Sequence, residues 1–333
     1  MNPDTFSPGP LLELSGNYWK TFTLHAAVKL DIFTHLGDQP CPASRVAELI
    51  QGDTDAVARL LNALVAMGML TKADGEFANT PDSACFLSKA SPHYVGFMIM
   101  HHYHLVEGWH RMDEAILTGK RVPVSGPDAE EWRESFLMGM FNIGMAVAPR
   151  LARELDLSRA TRLLDLGGGP GTFAVHFCLA NPGLSAAVYD LPTTQPFARK
   201  IIDQFKAADR VEFMAGNYET EAFPQPGEFD AAWLSHILHG LPPETAHAVV
   251  GKAVSALKPG SRIFIHEFIL NDGADGPLFP ALFSLNMLIG ARGGRSYTQA
   301  ELTQMLKDHG VTDIVRHPFV GPTESGILYG TVG

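Results

Sequence analysis

The sequence predicts an α/β fold, a parallel sheet flanked by helices, preceded by a helical N-terminal half. Three observations carry this. From residue 162 onward, short apolar runs alternate with amphipathic stretches, the pattern of strand–helix–strand units in a parallel sheet. The first such run, Arg162-Leu163-Leu164-Asp165-Leu166, opens into Gly167-Gly168-Gly169-Pro170-Gly171 and then an apolar stretch from Phe173 to Leu179, which reads as strand, tight turn and helix. Ahead of it, apolar positions recur at helical spacing instead.

Composition bounds the rest. At 333 residues the chain exceeds one ordinary core, so two domains are expected. Hydrophobic residues make up 46% and charged ones 18%, the mix of a globular protein. A formal charge of −11 disfavours phosphate-backbone partners, so no nucleic acid is expected. Cys41, Cys85 and Cys178 lie far apart with no C-x-x-C pair, which argues against a disulfide frame and a thiolate metal site. The N-terminus has no basic start followed by an apolar run, and no apolar run of transmembrane length is read. A cytoplasmic protein without membrane insertion is the expectation.

Residues 1–10 hold three prolines and a glycine and read as a loose arm. From Leu11 to Leu36 one helical run is expected, with Leu14, Tyr18, Phe22, Ala26, Leu30 and Phe33 on its apolar side. Residues 42–79 read as two helices and a hairpin turning at Asp74-Gly75, similar to a winged helix-turn-helix. Its second helix offers Arg59 among mostly apolar residues. A DNA-reading helix needs several basic or amide side chains, so a protein–protein module is favoured. Residues 92–118 read as a helix rich in histidine and aromatics; His101, His104 and Glu107 could share a face, but no further clustered ligand completes a closed metal site and no metal is expected. Pro123 to Asp128 reads as a linker, and Trp132 to Leu157 as an amphipathic helix carrying Phe136, Met140, Phe141 and Met145.

In the sheet half, strands are expected at 162–166, 186–189, 211–214, 229–234, 262–268, 314–320 and 326–332. A helix from Pro243 is expected to stop at Lys258-Pro259-Gly260, and another covers Thr298 to Asp308. Ligands of such sheets sit at the C-terminal strand edge. Asp190, Asn217, His239 and Glu267 all fall there. An acid after the second strand is placed to hold ribose hydroxyls, which points to a nucleoside cofactor. The spacing Gly167-x-Gly169-x-Gly171 departs from the G-x-G-x-x-G of dinucleotide sites, and no G-x-x-x-x-G-K-[ST] is present for a triphosphate.

The glycine turn, with Asp165 before it and Asp190 after it, resembles the S-adenosylmethionine site of Rossmann-like class I methyltransferases. Over nearly its whole length the chain is similar to small-molecule O-methyltransferases of the plant phenolic type and their bacterial relatives. The F-N-x-x-M helix of that family matches Phe141-Asn142-Ile143-Gly144-Met145, F-D-L-P matches Tyr189-Asp190-Leu191-Pro192, and G-D-x-F matches Gly216-Asn217-Tyr218. I-L-H-x-W matches Ile237-Leu238-His239-Gly240-Leu241, V-x-x-E matches the strand ending at Glu267, and G-G-x-E-R-T resembles Gly293-Gly294-Arg295-Ser296-Tyr297-Thr298. Asn217 stands where the family has an acid against adenine, Ser235 where a lysine is often found, and Ser296 where a second carboxylate orients the base.

The resemblance implies a helical dimerisation domain with a winged-helix-like unit over 1–122, a linker and pocket-wall helix over 123–160, and an S-adenosylmethionine-binding domain over 161–333. It implies a homodimer and a small-molecule acceptor. His239 would be the general base and Glu267 its orienting acid; imidazole, with an unperturbed pKa of about 6.5, suits the task. Asp165, Gly167, Gly169, Gly171, Asp190, Leu191, Asn217, Tyr218 and Ser235 would hold the cofactor. Trp109, Phe136, Met140, Met145, His236, Phe283 and Met287 would line an apolar pocket for an aromatic or isoprenoid-like acceptor, with His236 also a rival base. With Ser296 in place of a carboxylate, methylation of carbon or nitrogen and a non-methylating reaction stay open, as does a cofactor-sensing DNA-binding regulator.

Overall fold

The computed structural model describes residues 7–124, 129–221 and 227–333, so most of the linker expected at Pro123–Asp128 and of the N-terminal arm lies outside the described residues. The chain divides into two compact units, Met1–His104 with Asp128–Asn142, and Leu105–Pro127 with Ile143–Gly333.

The first unit begins with α1 (Gly9–Gly16), α2 (Tyr18–Lys29) and α3 (Ile32–Leu36), then β1 (Cys41–Pro42), α4 (Ala43–Ile50), α5 (Thr54–Ala66), β2 (Leu70–Ala73), β3 (Glu76–Asn79) and α6 (Pro81–Phe86). The single helical run expected over 11–36 is broken twice, at Asn17 between α1 and α2 and before α3, where Asp31 adopts a left-handed backbone at φ 55°. Asp53 caps α5 by accepting from the Ala56 N–H at 2.8 Å, satisfying one of the helix's unpaired donors. Asp74 and Gly75 both take positive φ, as the expected hairpin turn requires. β1 adds a third strand beside β3 that the sequence did not suggest. Ile32, Phe33, Val46, Leu61 and Leu64 form the core of this unit. Leu11, Leu12 and Leu14 of α1 are each about 70% exposed.

The 92–118 stretch is two helices, α7 (Gly96–His110) and α8 (Met112–Thr118). Arg111 leaves helical backbone between them, its guanidinium held by Glu114 and the Pro123 carbonyl. α9 (Ala129–Glu154) follows. It is long and apolar enough to cross a bilayer by composition, which corrects the expectation that no such run exists; 56% of its apolar window is buried inside the protein, as in a core helix.

The second unit is built on β4 (Arg162–Leu166), α10 (Thr172–Ala180), β5 (Ser185–Asp190), α11 (Gln195–Gln204), β6 (Val211–Ala215), β7 (Phe229–Ser235) and α12 (Pro243–Ser255). It closes with β8 (Leu257–Glu267), α13 (Leu278–Gly290), α14 (Gln299–Asp308), β9 (Val311–Val320) and β10 (Gly326–Val332). The sheet order is β6-β5-β4-β7-β8-β10-β9. The first five strands are parallel, and β10 runs antiparallel to both β8 and β9, so the expected parallel sheet carries one reversed strand. β8 also starts earlier than expected, running through Lys258-Pro259-Gly260. The strands bury both faces, Leu164, Leu234 and Ile265 on one and Leu163, Trp233 and Phe264 on the other, as a sheet covered by helices must. Strand order reverses between β4 and β7, a switch point at whose C-terminal edge ligands of such sheets bind.

Candidate active site

Everything in this site belongs to the second unit unless stated. β4 ends in the glycine turn, where Gly167 sits at φ 64° and Gly169 at φ 54°, a backbone region that side chains resist. A Cβ on Gly167 would lie 2.6 Å from Ile237, so the turn also needs the missing side chain; one on Gly169 would meet nothing within 4 Å. The space in front of Gly169 is therefore open to a ligand. Its N–H donates to Asp190 Oδ2 at 2.8 Å, while Asp190 Oδ1 accepts from the Leu191 N–H at 2.7 Å and the Thr194 hydroxyl at 2.9 Å. Burial pushes the Asp190 carboxyl up and these hydrogen bonds oppose that shift. A carboxylate has about four lone-pair sites, so acceptor capacity is left for ribose hydroxyls.

Asp165 lies fully buried under the turn, its Oδ2 accepting from the Ala174 N–H at 3.2 Å in the first turn of α10. Its Oδ1 is buried with no hydrogen-bond partner. Burial pushes this carboxyl up to about 7, the Ala174 bond working against it and the Asp190 charge adding to it. Past β6, Asn217 Oδ1 accepts from the Glu219 N–H at 2.9 Å, leaving the amide group for other partners. A Cβ on Gly167 would also come within 3.2 Å of the Tyr218 ring. The Lys252 ammonium donates to the carbonyls of Tyr218, Glu219 and Glu221, tying down this loop. An open glycine turn, an acid with acceptor capacity to spare beside it, an aromatic ring and an amide fit S-adenosylmethionine.

Ser235, at the end of β7, meets a group that sequence reasoning missed. Its Oγ is 3.0 Å from His266 Nδ1, and His266 Nε2 is 3.0 Å from Ser325 Oγ. Burial drives His266 well below the usual imidazole range, so this ring is neutral and carries one N–H to donate. Strand register brings the pair together, Ser235 facing His266 across β7 and β8; no spacing in the sequence signals it.

His239 follows in a short 3₁₀ turn, Leu238–Gly240. Its Nδ1 lies 2.7 Å from Glu267 Oε2. Glu267 Oε1 accepts from the N–H groups of Leu238 at 2.9 Å and His239 at 3.3 Å, and Oε2 accepts from the Phe268 N–H at 3.2 Å. Burial opposes ionisation of this acid, but His239, through its charge and its hydrogen bond, and the nearby His236 hold it well below the usual carboxylate range. His236 has φ 57° and places Nδ1 3.7 Å from the same Oε2, too long for a hydrogen bond. Phe283 meets the His239 ring edge-on at 4.8 Å between centroids, and Phe268 lies 4.3 Å from His236 and 4.5 Å from Phe283. Ser296, buried, donates to the Pro280 carbonyl at 2.8 Å, and Glu267 is the carboxylate that holds His239.

The candidate pocket residues divide. Trp109, Met145, His236, Phe283 and Met287 lie in the second unit, Phe136 and Met140 in the first. Trp109 Nε1 donates to Asn286 Oδ1 at 2.9 Å, adding an α13 amide that the sequence did not single out. Met145 Sδ is 3.3 Å from His176 Nε2 on α10. Within the first unit Phe136 stacks on Trp132 and takes the edge of His101 at 5.3 Å, while His104 Nδ1 is 3.1 Å from Ser135 Oγ. These histidines pack on α9, and burial pushes His101 down to about 4.

Comparison with known proteins gives a consistent picture. The O-methyltransferase domain model matches residues 123–312 and the O-methyltransferase dimerisation domain model residues 12–89. The 3-hydroxy-5-methyl-1-naphthoate 3-O-methyltransferase of Streptomyces sahachiroi is 32% identical over 335 residues, covering 98% of this chain and 96% of that protein. The tetracenomycin polyketide synthesis 8-O-methyl transferase TcmO of Streptomyces glaucescens is 32% identical, with 97% of each chain covered. An O-methyltransferase family protein from Burkholderia thailandensis superposes with a TM-score of 0.87 at 27% identity, covering 98% of both chains.

Proposed function

The chain belongs to the S-adenosylmethionine-dependent O-methyltransferase family, and on that premise we propose that His239, oriented by Glu267, removes the acceptor's hydroxyl proton as the methyl group is transferred. The cofactor is S-adenosylmethionine, whose sulfonium supplies an electrophilic methyl. The chain's own residues do the rest. Asp190 and the Gly167–Gly171 turn hold the nucleoside, with Asn217 and Tyr218 on its adenine side and Leu191 and Ser235 beside it. Asp165 braces the turn from below.

The observation that carries the base assignment is the 2.7 Å contact between His239 Nδ1 and Glu267 Oε2. A carboxylate there keeps the Nδ1 proton in place, so Nε2 presents its lone pair to the acceptor, and the same charge stabilises the imidazolium that forms. General-base help of this kind is worth about 10²–10⁴-fold. Phe268 and Phe283 flank the imidazole and favour a flat acceptor, and Trp109, Met145, Met287 and His236 are the further pocket residues of this reading. The naphthoate and polyketide O-methyltransferases among its relatives support an aromatic hydroxyl acceptor.

We further propose that residues 1–122 form the dimerisation domain, 123–160 the linker and pocket-wall helix, and 161–333 the cofactor-binding domain of a cytoplasmic homodimer. The uncovered apolar residues of α1 and α2, Leu11, Leu14, Tyr18 and Trp19, support the dimer; light scattering that returns one chain would overturn it. The function is tested with a panel of phenols, hydroxynaphthoates, hydroxyquinones and tetrapyrroles, read out by S-adenosylhomocysteine release. On the best acceptor, His239→Ala should lower turnover at least tenfold while calorimetry shows S-adenosylmethionine binding unchanged. Unaltered turnover would remove the base.

A further inference from the structure

His236, His239 and Glu267 do more than form one acid–base pair. Each offers one ligand atom, and the three atoms lie within 4.8 Å of one another. The Nδ1 atoms of His239 and His236 stand 2.7 and 3.7 Å from the same carboxylate oxygen. Two ligands at about 2.1 Å from a tetrahedral ion lie about 3.4 Å apart, so the observed pair distances bracket what an ion needs. His236 Nδ1 is buried without a hydrogen-bond partner, a cost that burial imposes on any polar atom left alone. The carboxylate is already ionised and fixed by the Leu238 and Phe268 N–H groups, the kind of outer support that orients metal ligands.

We propose that these three residues form a binding site for a divalent transition-metal cation, with zinc and cobalt as the fitting ions, and that occupancy switches off methyl transfer. Two imidazoles and one carboxylate select borderline ions of this type over magnesium or calcium, which prefer all-oxygen sites. Three protein ligands also leave a coordination position open. The ion takes the lone pair on Nδ1 of His239 in place of the proton shared with Glu267. The imidazole's single proton moves from Nδ1 to Nε2 as the ion binds, and no ring lone pair is left to accept a proton from the acceptor hydroxyl. The inhibitory consequence rests on His239 being the base; the binding itself does not.

The test is titration of ZnCl2, CoCl2 and MgCl2 into the enzyme loaded with S-adenosylhomocysteine, followed by calorimetry and, for cobalt, by visible absorption. One zinc or cobalt per chain is expected, no magnesium, and a cobalt spectrum of low-coordinate, nitrogen-bearing type. His236→Gln and Glu267→Gln should each weaken binding at least tenfold. With native enzyme, methyl transfer should fall in proportion to zinc occupancy and return on chelation. No binding at millimolar metal, a cobalt spectrum like that of the hydrated ion, or binding unaffected by both substitutions overturns the site. So does binding lost instead in His247→Gln, which would place the ion at the exposed His247–Asp308 pair. The cobalt spectrum of the native chain decides the matter if either variant fails to fold. Metal binding without inhibition would refute the competition and, with it, count against His239 as base.

Discussion

Glu267 Oε2 and His239 Nδ1 lie 2.7 Å apart although 28 residues separate them in the chain. β8 supplies the acid and the turn after β7 supplies the imidazole, so neighbouring parallel strands bring the two to one edge. The other carboxylate oxygen receives the Leu238 N–H, which leaves the acid little freedom to rotate. Replacing Glu267 with Gln keeps the shape but removes the charge that stabilises an imidazolium. Turnover is expected to fall about 10²-fold, and the Glu267→Gln, His239→Ala double variant to be scarcely slower than His239→Ala alone, since the two act as a unit. Steady-state kinetics on the four proteins measures this. Additive losses would separate the pair.

Asp190 makes a different kind of contribution. It binds the glycine turn through Gly169, and in the proposed function it holds the cofactor's ribose. Hydrogen bonds to an ionised acceptor are worth about 1.5–3 kcal/mol. Asp190→Ala is therefore expected to raise the KM for S-adenosylmethionine about 10–100-fold, with kcat at saturation within a few fold of the parent. A loss confined to kcat would mean that Asp190 serves the reaction and not cofactor binding.

Two glycines in the turn should fail differently. A Cβ at position 168 would sit 2.6 Å from Asp165 Cγ, inside the buried carboxylate, whereas one at position 169 meets nothing within 4 Å. Gly168→Ala is expected to cost about 1–3 kcal/mol by overpacking, seen as a fall of several degrees in Tm. Gly169→Ala should cost about 1–2 kcal/mol through its positive φ and, beyond that, weaken S-adenosylmethionine binding by filling ligand space. Thermal melts and calorimetry on both variants distinguish the cases; equal cofactor affinity in Gly169→Ala and parent would show that the ligand does not approach this side of the turn.

The features legible in the sequence are those governed by local rules. Apolar periodicity marked most strands, Asp74-Gly75 marked the hairpin, and strand ends pointed to Asp190, Asn217, His239 and Glu267. What could not be read depends on register or on single backbone torsions. The chain Ser235–His266–Ser325 joins β7, β8 and the residue just ahead of β10, and exists only because these strands align as they do. The reversal of β10 leaves no trace in composition. Asp31 and Arg111 interrupt helices without the glycine or proline that would signal a break in the sequence. Lys258-Pro259-Gly260 reads as a helix stop, and it also lies in the first part of β8, where Leu257 already faces Phe229 and the register shifts before Arg262 faces Ala231, with Gly260 between them at φ 80°.

Asp165 should leave a signature in the pH dependence of stability. Its folded value is raised to about 7 by burial, against about 3.9 in an unfolded chain. Between those values the native state holds a proton that the unfolded state has released. Stability from this group therefore declines as pH rises from about 4 to about 7 and is level above that. Asp165→Asn cannot ionise and still accepts from the Ala174 N–H, so its own stability lacks this decline. The difference in Tm, variant minus parent, is expected to grow from pH 5 to pH 8. Taking a difference removes the background from Asp190, whose carboxyl is shifted in the same direction. A difference that stays constant across this range would mean that the buried carboxyl is ionised throughout, with its unpartnered Oδ1 meeting a donor.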